Sequence, residues 1–128
     1  MNTNQKGAIA EAHTVYHATK RGYAVSIPNL DCLYDLIIER KGIPNRVQVK
    51  YVTPKKGILK FSISGGWGGY YPEYSDRTID ALVLYDAESE KSYWVWIKDF
   101  PGTGITLRME EPRNNQSMNI RMAKDYEW

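Results

Sequence analysis

Cysteine is almost missing from these 128 residues: Cys32 stands alone, so no intramolecular disulfide can form and a reducing, intracellular setting is expected. No apolar run approaches the length that spans a bilayer, and no signal-peptide pattern opens the chain, which points to a cytoplasmic location. Charge of one sign is also missing. With 17 basic and 15 acidic residues the net charge is +2, which neither demands nor excludes nucleic acid, so a binding surface has to come from local clusters. Those clusters are Lys20-Arg21, Arg40-Lys41, Lys55-Lys56 with Lys60, and the later Arg108, Arg113, Arg121 and Lys124. The glycine-rich stretch Gly65-Gly66-Trp67-Gly68-Gly69-Tyr70-Tyr71 matches neither G-x-x-x-x-G-K-S/T nor G-x-G-x-x-G, which excludes the standard phosphate loops. It suits a DNA-contacting or oligomer-contacting loop, or an idle surface loop. No repeat, low-complexity tract or linker divides the chain. Ordinary globular composition then leaves one domain, residues 1–128, with a single core.

What is present centres on Tyr34 to Val52. Tyr34 to Glu39 and Arg46 to Val52 read as two strands, joined by the turn residues Lys41 to Asn45. On the second strand Val47, Val49 and Tyr51 point one way, and Gln48 and Lys50 the other. A fold near Gly42-Ile43 sets Asp35 close to Lys50. An acid, an amide and a lysine then meet on an apolar hairpin. Such burial is costly unless the groups serve each other or a metal; the plain alternative is a structural Asp35–Lys50 ion pair.

Before the hairpin, Asn2 or Thr3 caps a helix running to about Arg21, with Gly22 as terminator. Helical spacing gathers Ala8, Ile9, Ala12, Val15, Tyr16 and Thr19 on one face, and Lys6, His13, His17 and Lys20 opposite. Glu11 lies at the margin of the apolar stripe and looks along a seam between helix and sheet. His13 and His17 have zinc-chelating spacing, but no metalloprotease motif and no third ligand accompany them, so surface histidines are expected. Asp31 is either a second carboxylate near the site or, more simply, a turn residue, and Cys32 lacks a partner for nucleophilic chemistry. Further strands are expected at 24–27, 57–64, 78–85, 93–98 and 105–110, and a short helix at 118–126.

A helix with a glutamate, a strand with an aspartate, and a strand bearing x-Q-x-K occur in that order. The pattern resembles the PD-(D/E)xK nuclease superfamily. Glu11 matches the early helical acid, Asp35 the motif aspartate, and Gln48-Val49-Lys50 the terminal triplet. Tyr34 replaces the usual proline and Gln48 the usual acid. The glutamine is similar to that of the group I intron-encoded homing endonucleases of this fold. Thr78-Ile79-Asp80, Tyr93-Trp94-Val95, Asn114-Asn115-Gln116 and Ile120 to Tyr126 resemble that group's later blocks, so the likeness spans nearly the whole chain.

The resemblance implies an α/β domain with a mixed central β-sheet flanked by helices, restriction-endonuclease-like. It also implies metal-dependent hydrolysis of phosphodiester bonds in double-stranded DNA. Magnesium is the expected ion, with manganese as substitute. Asp35, Gln48, the Val49 carbonyl and Glu11 would bind it, and Lys50 would orient or deprotonate water or stabilise the phosphate. Lys55, Lys56, Lys60, Arg113 and Arg121 are the expected DNA contacts. Base reading is expected from strands or loops near Lys55 to Lys60 and from the C-terminal tail. One site per chain makes a homodimer or homotetramer the expected assembly. The rival readings are a Holliday junction resolvase of the same fold and a non-catalytic DNA-binding module.

Overall fold

Asn2 opens the fold by capping α1, Thr3–Lys20, in a computed structural model that describes residues 1–62, 78–100, 104–110 and 120–128. The Asn2 side chain accepts the Gln5 N–H at 2.8 Å, and the Gln5 side chain accepts the Asn2 N–H at 2.9 Å. This reciprocal pair satisfies two otherwise orphaned donors and is worth about 1 kcal/mol. The helix stops where Gly22 turns to φ +78°. There the Gly22 and Tyr23 amides return to the Thr19 and Ala18 carbonyls, both at 2.9 Å.

The inward face of α1 differs from the expected one. Ala10, Thr14 and Ala18 are buried, whereas Ala8, Ile9, Ala12, Tyr16 and Thr19 are exposed. Small side chains let the helix lie close to the sheet, and the Thr14 hydroxyl donates to the Ala10 carbonyl at 2.8 Å, so it carries no unpaired group inward. Of the expected stripe only Val15 turns partly inward. His13 and His17 are half-buried rather than open to solvent. His13 packs 4.7 Å from the Tyr85 ring with Nδ1 3.2 Å from the Ser92 hydroxyl, and His17 lies 5.3 Å from the Trp128 ring. Burial lowers the pKa of both imidazoles.

Seven strands follow: β1 Ala24–Ser26, β2 Leu36–Arg40, β3 Ile43–Val52, β4 Ile58–Ser62, β5 Ala81–Asp86, β6 Ser92–Trp96 and β7 Gly104–Arg108. Five form a mixed sheet in the order β1-β2-β3-β5-β6, in which only β3 and β5 run parallel. The β2–β3 turn is tighter than the sequence suggested. Lys41 and Gly42 alone make it, at φ +52° and +77°, and Ile43, Pro44 and Asn45 already belong to β3. Pro44 is tolerated because β5 joins β3 only from Val47 onward.

Every residue of β5 is buried, as suits a strand covered on both faces. Ala81, Val83 and Tyr85 join Val47, Val49, Leu36 and Ile38 under α1. Leu82 and Leu84 join Val52 and Val95 on the opposite face, beneath Leu59, Ile105 and Leu107 of the β4–β7 pair. Among the described residues, then, a helix covers one face and a two-stranded ribbon the other. Arg46 fixes the entry to β5: Asp80 accepts its backbone N–H at 2.7 Å and its guanidinium at 3.1 and 3.2 Å.

At the C-terminal side the expected helix is only a 3₁₀ turn, Ala123–Tyr126, and residues 118–119 lie outside the described residues. So do the glycine-aromatic stretch 65–72, Asn114-Asn115-Gln116 and Arg113. The strand expected at 93–98 ends at Trp96 and continues as a 3₁₀ turn, Ile97–Asp99. No helix of the described residues is long and apolar enough to cross a membrane.

Candidate active site

Asp35 sits one residue before β2, where the β2–β3 ladder ends at the Leu36–Val47 pair. Its N–H donates to the Val47 carbonyl at 2.9 Å, and its carboxylate accepts the Val49 N–H at 2.9 Å. A side chain thus takes the rung that β2 would have filled. Within a strand the N–H and C=O of one residue leave on the same edge, so the Val49 carbonyl emerges beside the Asp35 carboxylate.

Glu11 reaches this point from α1. The close approach allowed by Ala10, Thr14 and Ala18 brings its carboxyl close enough to Asp35 for the two charges to interact. Both acids are held above the usual carboxylate range. For Glu11 burial is the main cause, followed by the Asp35 charge and by the proton it donates to Asp35. For Asp35 burial again dominates, opposed by the Val49 N–H, the Lys50 ammonium and the Glu11 hydrogen bond. Lys50 shifts the other way: burial lowers its pKa, and the Asp35 charge partly restores it. Its Nζ lies 5.3 Å from the centre of the Phe61 ring. Phe61 is not among the sequence candidates, because a lone aromatic in an alternating strand reads as core.

Gln48 is 8% exposed, and no hydrogen bond among the described residues holds its side-chain amide. Its side-chain oxygen is a neutral acceptor of the kind a hard cation accepts. Two carboxylates and the Val49 carbonyl meet here, with Gln48 next to Val49 on the strand, all able to offer hard oxygens suited to magnesium-type cations. The close acidic pair, strained by its own charge, gains from a cation. Among the described residues no three His, Cys, Asp or Glu side chains cluster for metal binding, so the neutral oxygens of Gln48 and Val49 are needed to complete the set. The donor set fits a divalent ion.

Lys50 also lines a cleft of about 690 Å³ between the end of β3 and β4, with Lys55, Lys56, Lys60 and Phe61 on its walls. Three of the expected DNA contacts therefore surround the opening to Lys50. Arg121 does not line it; its guanidinium donates to the Tyr126 hydroxyl and the Asp99 carbonyl, both at 3.0 Å, and lies 4.2 Å from the Phe100 ring centre. Asp31 is exposed in the preceding loop, and the exposed Cys32 thiol contacts the Tyr34 carbonyl at 3.3 Å.

A mixed sheet that parts beside an acidic pair and a lysine is the architecture of a restriction-type nuclease. The chain belongs to the PD-(D/E)XK endonuclease family, which it matches over residues 1–128. It is similar to the solved structure of a bacterial homing endonuclease, I-Ssp6803I, with 27% identity and a TM-score of 0.71, over 98% of this chain and 86% of that one. No curated protein matches it. Membership places it among the DNA endonucleases, and nucleases of the family generally use divalent metal ions.

Proposed function

We propose that this protein is a magnesium-dependent, sequence-specific endonuclease of the homing type that cuts double-stranded DNA. The observation that carries the reading is the Asp35 carboxylate seated on the Val49 N–H, with Glu11 in reach and Lys50 next along the strand at the mouth of a basic cleft. When bound, a divalent ion lowers the pKa of the attacking water and relieves charge on the phosphoryl oxygens. Asp35, the Gln48 side-chain oxygen and the Val49 carbonyl would hold that ion, with Glu11 binding directly or through water. Lys50 would position or deprotonate the water, or stabilise the developing phosphate charge. Lys55, Lys56 and Lys60 would draw the DNA backbone into the cleft. One site per chain serves one strand, so double-strand cleavage calls for a homodimer or homotetramer.

The test is to incubate the protein with magnesium, a pool of long duplexes and a four-way junction. Cutting of duplex at discrete positions is the expected result. Cutting confined to the junction would replace the homing reading with a resolvase. DNA binding that is the same in magnesium and in EDTA, with no cutting, would replace it with a binding module.

Gln48 gives a second prediction. Gln48→Glu adds a negative charge beside Asp35 and should tighten manganese binding by about tenfold, since Coulomb gain to a divalent ion exceeds the added desolvation. Calorimetric titration reads this directly. An affinity unchanged or weakened in the variant would remove Gln48 from the ligand set.

A further inference from the structure

The β4–β7 pair has a second face that the core does not use. In its register Leu59 pairs with Leu107 and Phe61 with Ile105, and these point into the core. Ile58–Arg108, Lys60–Thr106 and Ser62–Gly104 are the alternate pairs and point outward. Lys60, Ser62, Gly104 and Thr106 are exposed, and Arg108 is half-buried with its Nε 3.5 Å from the Glu110 carbonyl. The ribbon is stiffly supported near Lys55–Ile58. There Lys55 and Ile58 exchange two backbone hydrogen bonds of 2.9 and 3.0 Å around Lys56 and Gly57, which sit at φ +51° and +73°. The Met109 N–H closes onto the Gly57 carbonyl at 2.8 Å, and the Glu110 side chain stands beside that turn.

Two strands about 4.8 Å apart, with basic and hydroxyl side chains on the outer face, match the roughly 12 Å width of the B-DNA major groove. The groove's base edges offer acceptors to lysine and arginine, and both donors and acceptors to hydroxyls. A reader needs these residue types, and the outer face carries them. Position supports the match. Lys60 and Ser62 line the same cleft as Lys50, so a duplex whose backbone reaches Lys50 lays its neighbouring groove against β4. Basic charge at Lys55, Lys56, Lys60 and Arg108 complements that occupant.

We propose that the outer face of the β4–β7 ribbon enters the major groove of duplex DNA and reads base pairs through Lys60, Ser62, Thr106 and Arg108, while Lys55 and Lys56 hold flanking phosphates. The inference rests on the nuclease reading above and adds the surface that selects the sequence. Lys60 and Thr106 are register partners, so together they face one or two adjacent base pairs.

The experiment cuts a randomised duplex library with the full chain in magnesium and sequences the products, for wild type, Lys60→Ala, Thr106→Val, Lys56→Ala and Lys98→Ala. Lys98 is exposed beyond β6, near the Trp96 ring, and serves as the control. Lys60→Ala and Thr106→Val should each flatten the preference at one or two base pairs, the same or adjacent ones, by about 5- to 150-fold. Lys56→Ala should slow cutting of all sequences alike and reduce the salt slope by about one. Lys98→Ala should match wild type, and melting curves should show all four variants folded. Lys60→Ala and Thr106→Val products with the wild-type preference intact would overturn the ribbon and leave the nuclease. A wild-type enzyme that cuts without sequence preference would do the same. A library left wholly uncut by wild type would overturn the nuclease reading, and the ribbon with it.

Discussion

Lys50→Ala should lower magnesium-dependent DNA cleavage by about a thousandfold, within the range of general acid–base and charge-stabilising groups. The fold gives little reason for a structural loss. Lys50 is half-buried rather than a core residue, and its ammonium lies over Phe61 at the cleft wall. Alanine removes a cation that burial already disfavours, so the melting temperature should barely move. Lys50→Arg separates the two chemical roles. Arginine keeps the charge but cannot give up its proton near neutral pH. Cleavage that falls as far in the arginine variant as in alanine, with loss of the rising limb of the pH profile, assigns Lys50 to proton transfer. Cleavage retained to within about tenfold assigns it to charge stabilisation. Wild-type rates in the alanine variant would remove Lys50 from the chemistry altogether.

The reason so much of this site is legible in the sequence is that a hairpin imposes simple geometry. Period-2 alternation fixes which side chains of Val47 to Val52 share a face, and an antiparallel register places the residue before β2 next to the end of the ladder. Asp35, Gln48 and Lys50 can therefore be grouped from spacing alone, and the Asp35 carboxylate does meet the Val49 N–H between the other two. Turn length was harder. Pro44 and Asn45 look like turn residues, yet two residues in left-handed conformations suffice, and the rest pair with β2.

The helix misled for a physical reason. Apolar periodicity weights large side chains, and in α1 those are Ile9 and Tyr16, which stay outside at 37% and 62% exposure. Close packing on the sheet selects small residues at four-residue spacing, Ala10, Thr14 and Ala18, with Glu11 and the two histidines on either side. The same rotation that removes Ile9 from the core turns Glu11 toward Asp35. The ribbon was unreadable for another reason: its two strands lie more than forty residues apart, and no local signal says that Ile58–Ser62 will find Gly104–Arg108. The sheet's parallel β3–β5 pair is non-local in the same sense.

The acidic pair makes the second large prediction, on stability rather than rate. Glu11 and Asp35 both have pKa values raised by folding, from reference values of 4.5 and 3.8. The folded chain therefore binds protons more tightly than the unfolded chain between each reference value and its raised one. Over that window stability falls as pH rises. Glu11→Gln and Asp35→Asn remove one charge each. The glutamine can still donate to Asp35, and the asparagine oxygen can still accept the Val49 N–H. In metal-free buffer at neutral pH each variant should melt a few degrees above wild type, and the advantage should vanish below the reference values of 4.5 and 3.8, where both acids are protonated in either state. Magnesium should reverse the order. A divalent ion at a hundredfold excess over its Kd stabilises wild type by about 2.7 kcal/mol, and the variants, with a ligand lost, by much less. Melting curves across pH, with EDTA and with magnesium, read both arms. Variants that melt below wild type in EDTA at neutral pH would mean that the pair stabilises the fold. Equal magnesium shifts in all three proteins would place the ion elsewhere.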